Sequence, residues 1–167
     1  QFKIKSWISI AKPATNLQTL ALAISFGLLT VSFISHDFSV AYVANNSNTN
    51  LPIQYLISAV WGGHEGSLLL WALILSLWAS AITLFSKSVP EVVIARVLGV
   101  MGIVSIGFLL FMILTSNPFD RMIPAAIEGR DLNPLLQDPG LIIHPPMLYM
   151  GYVGFSVPFA FAIAALL

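Results

Sequence analysis

Four apolar stretches set the limits on what this chain can fold into. They lie at about 16–35, 67–86, 92–115 and 147–167, and each approaches the ~20 residues that an α-helix needs to cross ~30 Å of hydrocarbon. Inside a bilayer the backbone must satisfy its own N–H and C=O groups, which leaves helices and closed barrels. Unbroken apolar runs of this length select helices. The expected fold class is therefore all-α: a polytopic membrane protein with four transmembrane helices and two long connections, 36–66 and 116–146. Only 8% of the residues are charged, against ~25% in an average soluble domain. The zero formal net charge argues against nucleic acid as a partner, and membrane lipid is the expected surroundings. Lack of cysteine removes any disulfide, thiolate metal site or cysteine nucleophile. The chain starts at Gln1 and is still apolar at Leu167, so residues 1–167 are expected to be a fragment of a longer protein.

Within the spans, two strips of small or hydroxyl residues predict helix packing. Ser76, Ser80 and Thr83 share one face of the second span, and Ala95, Gly99, Gly102 and Ser105 share one face of the third. Arg96 lies close enough to the end of its span to snorkel to the interface. Pro158 should kink the fourth helix.

Lysine and arginine counts orient the chain. Lys3, Lys5 and Lys12 precede the first span and Lys87 follows the second, whereas no lysine or arginine falls between Asp37 and Ser86. This places the N-terminal segment and the Lys87 turn in the cytoplasm, with 36–66 and 116–146 on the outer face. His36, His64 and His144 then all lie at or near the outer face.

The first outer segment ends in WGGHEGSLLLW at 61–71. Gly62, Gly63 and Gly66 are expected to permit backbone geometry closed to other residues. Trp61 and Trp71 read as interfacial anchors. His64 and Glu65 read either as a helix N-terminus favoured by its dipole or as part of a polar site at the membrane edge. Upstream, 51–60 fits a short helix lying at the interface.

The second outer segment holds six prolines between Ser116 and Pro146, so it cannot be one helix. Its aliphatics, Leu132, Leu135, Leu136, Leu141, Ile142 and Ile143, are expected to pack it onto the membrane surface. It ends in DPGLIIHPPMLYMGY at 138–152. A residue before proline is pushed out of the helical region, and proline is tolerated at a first helical position. His144, before Pro145 and Pro146, is therefore expected in extended geometry at the mouth of the fourth helix. Two readings stay open for it: a helix-start residue beside the membrane, or a ligand to a metal or heme iron, a common role of neutral imidazole.

WGGHEGSLLLW at 61–71, SNPFDR at 116–121 and EGRDLNPLLQDPGLIIHPPMLYMGYVGFS at 128–156 resemble the CcmF/NrfE family of cytochrome c-type biogenesis proteins, most of all its bacterial CcmF branch. The resemblance implies a multi-pass protein of the bacterial inner membrane with its functional loops on the periplasmic side. Such a protein accepts heme b, as substrate, from the heme chaperone CcmE. With a CcmH-type thioreductase partner it takes part in attaching the heme vinyl groups to apocytochrome c, as a component of a cytochrome c heme lyase. The family's outer-face histidines flank a tryptophan-rich segment, and another pair holds a structural heme within the membrane. Only one of these maps here, onto His144, implied as an axial ligand to heme iron. Pro145 and Pro146 accompany it, with His64, Glu65 and Trp61 as weaker cofactor-binding candidates, and no catalytic residue is assigned. By this resemblance residues 1–167 are the N-terminal part of a larger transmembrane domain and are not expected to be active alone. Two other function classes compete: a segment of a heme or solute transporter, and a structural subunit of a membrane respiratory complex.

Overall fold

The computed structural model describes residues 2–167, with side chains from Ser6 onward, so the side chains of Lys3 and Lys5 lie outside the described ones. Helix α1 runs Phe2–Ile34, the short helices α2 and α3 cover Ala41–Asn46 and Ile53–Ala59, and α4 and α5 cover His64–Phe85 and Glu91–Thr115. A 3₁₀ turn at Pro134–Gln137 leads into α6, Pro139–Gly154, and α7, Ser156–Leu166. Among the described residues four helical segments are long and apolar enough to cross a membrane, the last being α6 and α7 together. The only extended pairing among the described residues is one bridge, Val40 with Arg121.

Helix α1 begins well before the expected start near Asn16 and continues through Pro13. Hydropathy marks the part of a helix that suits hydrocarbon, and the helix itself runs on into the polar, lysine-bearing end. The fourth span departs most from expectation. It begins at Pro139, so the second connection ends at 138 and not at 146. The Asp138 carboxylate accepts hydrogen bonds from the N–H groups of Gly140 and Leu141 at 2.8 and 3.2 Å, which makes it the N-cap, with Pro139 in the first turn. His144 is therefore helical, inside α6, and the expectation of extended geometry is overturned. As expected, Pro158 interrupts the span. It offers no N–H to the Gly154 carbonyl, and α6 gives way to α7 at Phe155.

Two buried clusters hold the bundle. One, at the end bearing the long connections, includes Leu29, Phe33, Val40, Val43, Val60, Leu69 and Leu132. The other, between α4, α5 and α7, includes Leu75, Ile94, Val97, Met101 and Ala160. Phe26 and Trp61 pack against both. The hydroxyl strip of α4 packs on a helix as expected, and the partner is α1: Thr19 Oγ1 lies 2.8 Å from Ser80 Oγ, and Thr83 donates to Asn16 Oδ1 at 3.2 Å. Of the small-residue strip of α5, Ser105 is buried, but the glycines make no close helix contact. A Cβ added at Gly99 or Gly102 would meet nothing within 4 Å, and Ala95, Gly99 and Gly102 instead line a groove of about 780 Å³ between α1 and α5.

The two long connections pack on each other at one end of the bundle. Ala41 N–H donates to the Asp120 carbonyl and Met122 N–H to the Ser39 carbonyl, both at 2.8 Å. Asp37 pairs with Arg121 at 3.0 Å, and Thr49 Oγ1 donates to Glu128 at 2.7 Å. Leu132 is buried in the first cluster and Leu136 packs against it, so these aliphatics hold protein to protein. Leu135, Leu141 and Ile143 remain exposed.

Candidate functional site

The WGGHEG turn is built around Tyr42, a residue the sequence did not single out. The Gly63 N–H donates to Tyr42 Oη at 2.9 Å, and the phenol donates toward the carbonyls of Val60 and Ala59 at 3.1 and 3.2 Å. Burial pushes the phenol well above its usual range, so it stays neutral and keeps its donor. The glycines are not needed for unusual backbone angles, because no described glycine has positive φ. They make room. A Cβ on Gly63 would lie 2.7 Å from the Tyr42 ring, and one on Gly66 would overlap the Val60 carbonyl oxygen.

Folded this way, the turn sends its polar side chains in different directions. His64 is exposed in the first turn of α4, and its Nδ1 lies 3.1 Å from Ser116 Oγ at the end of α5. Glu65 is half-buried in that same first turn, where the helix dipole favours a carboxylate. The helix N-cap itself is Gly63, with no side-chain cap. Trp71 stacks on Phe108 with ring centroids 3.5 Å apart, so it joins α4 to α5.

Trp61 turns toward α6. Its Nε1–H donates to the Ile142 carbonyl at 3.0 Å. In an unbroken helix that carbonyl would accept from residue 146, but residue 146 is proline. A proline inside a helix removes one backbone bond and costs ~3 kcal/mol or more, and in membrane helices neighbouring groups re-satisfy the freed backbone. Trp61 is that neighbour, which accounts for a helix running through His144-Pro145-Pro146.

The His144 imidazole is exposed and makes no hydrogen bond among the described residues. Leu141, Met147 and Leu148, three or four positions away on the same helical face, are exposed as well. One imidazole on an apolar strip, with a ring nitrogen free to ligate, fits a flat apolar macrocycle with a metal at its centre. No group of three His, Cys, Asp or Glu side chains converges as a metal site among the described residues. The structure thus ties Trp61 to the His144 turn and His64 to the end of α5. Asp37, Tyr42 and Arg121, which fix the loop end of the bundle, were not readable as such, although Arg121 belongs to the SNPFDR stretch.

Residues 61–167 match the family model described as cytochrome C assembly protein. The chain is 67% identical over 162 residues to the cytochrome c-type biogenesis protein CcmF of Pseudomonas fluorescens, covering 96% of this chain and 24% of that protein. It is 62% identical over 149 residues to CcmF of Escherichia coli, covering 89% and 23%, and 49% identical over 160 residues to NrfE of Haemophilus influenzae, covering 96% and 25%. A solved structure of cytochrome c heme lyase CcmF superposes with a TM-score of 0.74 at 28% identity, over 97% of this chain and 24% of that one. The chain thus spans about a quarter of the length of the relatives it matches. It belongs to the cytochrome c assembly protein family, among the CcmF and NrfE proteins.

Proposed function

We propose that this chain supplies one axial ligand, His144, to heme handled at the periplasmic face of the inner membrane during cytochrome c maturation. The observation that carries the reading is the exposed imidazole of His144, with no hydrogen-bond partner among the described residues, on an apolar face at the end of the bundle that holds both long connections. Heme b is the substrate here. It arrives from a chaperone of the CcmE kind and leaves joined to apocytochrome c, which a CcmH-type partner presents. Attachment adds a cysteine thiol across a vinyl C=C. A C–S bond forms, the thiol proton passes to the neighbouring carbon, and no net redox change occurs. The chain's own part is orientation. A fixed macrocycle turns the meeting of vinyl and thiol into a positioned encounter, which can be worth ~7–11 kcal/mol of a barrier. Pro145 and Pro146 shape the turn that carries the ligand, and the remaining ligand comes from outside residues 1–167.

The test is a chimera. Residues 1–167 replace the corresponding quarter of the Escherichia coli relative in a strain lacking that relative, and covalent heme on c-type cytochromes is read by heme staining. Restored holocytochrome is the expected result. A chimera that accumulates in the membrane and attaches no heme contradicts the proposal.

A further inference from the structure

We infer that Trp61 is the positioning residue of the His144 turn, acting by donating its indole N–H to the one α6 carbonyl that Pro146 leaves without its helical partner. The inference rests on the reading of His144 given above, but its structural part stands alone. Pro145 and Pro146 remove two consecutive backbone donors, whose acceptors would have been the carbonyls of Leu141 and Ile142. The two carbonyls have different fates. Ile142 receives Trp61 Nε1–H at 3.0 Å, while Leu141 lies on an exposed position. One hydrogen bond from a residue 81 positions away therefore sets the side toward which the proline-weakened helix leans.

Trp61 is well placed to hold it. The residue is partly buried, packs against both hydrophobic clusters, and sits one residue beyond Val60, whose carbonyl faces Tyr42 Oη. The indole is thus braced against the rigid end of the bundle, and the bond passes that rigidity to α6. His144 follows Ile142 by two residues, so a lean at Ile142 redirects the imidazole. Trp78 repeats the arrangement deeper in the bundle, donating to the Met150 carbonyl at 3.1 Å. Met150 has no proline four residues later, so that bond supplements a helical one where the Trp61 bond replaces one.

This makes Trp61 and Pro146 energetically coupled through a carbonyl that neither residue owns. The test uses the full-length protein carrying this chain, purified without heme in nanodiscs. Amide hydrogen exchange is followed for Ile142, Ile143 and His144. Trp61→Phe removes the donor. A benzothienylalanine at position 61, which keeps the bicyclic ring and lacks the N–H, removes the donor with the packing kept. Both should raise exchange of these amides by about tenfold, the size expected for stranding a partly buried carbonyl. Pro146→Ala gives the Ile142 carbonyl a helical N–H, so in that background the same changes at 61 should have little further effect. Unchanged exchange in both Trp61 variants overturns the inference. So does an equal rise with and without Pro146→Ala, which would mean that Trp61 acts by packing and not through the Ile142 carbonyl. The Soret band of the heme-loaded protein keeps the two readings apart: if His144→Ala leaves it unchanged while the exchange pattern holds, the ligand reading fails and the positioning of the turn stands.

Discussion

The amide of Gly63 points at the phenolic oxygen of Tyr42, with nitrogen and oxygen 2.9 Å apart. This contact locks α2, in the first long connection, onto the turn that starts α4. It requires that neither Gly63 nor Gly66 carry a Cβ. The WGGHEG stretch of this chain thus makes room with its glycines for a tyrosine some twenty residues upstream.

Gly66→Ala should therefore be severe. Its Cβ meets a backbone carbonyl, which cannot give way as a side-chain end can, and the variant is expected to lose most correctly assembled protein. Tyr42→Phe should cost about 1–3 kcal/mol by stranding buried backbone groups. Gly99→Ala, where nothing lies within 4 Å, should be neutral or slightly stabilising, since alanine is the better helix former. Thermal unfolding in detergent, followed by tryptophan fluorescence, ranks the three. A Gly99→Ala loss as large as that of Gly66→Ala would refute the space argument.

The clamp between the long connections should weaken in acid. The Ser39 hydroxyl, with Arg121 adding to it, holds the Asp37 carboxyl below its usual 3.8, and Thr49 holds Glu128 below its usual 4.5. A carboxyl with a depressed folded-state pKa stabilises the fold fully above its unfolded value and loses that contribution as pH falls through the folded one. The fall in unfolding temperature between pH 6 and pH 3 should therefore be smaller for the Asp37→Asn/Glu128→Gln protein than for the parent, because the variant has already lost the ionised acceptors. An identical fall in both proteins would show that these groups do not carry the dependence.

Both long connections are expected on the periplasmic side. They share one end of the bundle, joined by Asp37–Arg121 and Thr49–Glu128, so they must face the same compartment, and the lysine distribution says which one. Cysteines replacing Asn50 or Leu135, both exposed, should react with a membrane-impermeant maleimide in intact spheroplasts, and one replacing Ser88 should not. Reaction at Ser88 alone would reverse the orientation.

The four spans were legible because apolar length is a local property, and a packing face on α4 because Ser76, Ser80 and Thr83 repeat with the helix, although not that α1 would be its partner. The start of the fourth span was not. His-Pro-Pro read locally as a boundary, and what keeps the helix going through it is Trp61, far away in sequence. The pairing of Asp37 with Arg121 was equally hidden, since 84 residues separate them and neither connection has a period to match. Tyr42 gave no sign of its role, because the room made for it is written in the glycines of another segment. His144 was singled out by residue type and neighbours, and the extended geometry expected for it gave way to a helical one.

Replacing His144 tests the account most directly. In a strain whose cytochrome c maturation depends on the full-length protein carrying this chain, His144→Ala should abolish covalent heme attachment, read by heme staining, with membrane protein levels unchanged. Added imidazole should partly restore attachment by occupying the vacated iron position. His64→Ala, whose ring is engaged with Ser116, should impair attachment less and show no rescue. Normal attachment by His144→Ala, or loss of the protein from the membrane, would contradict the account.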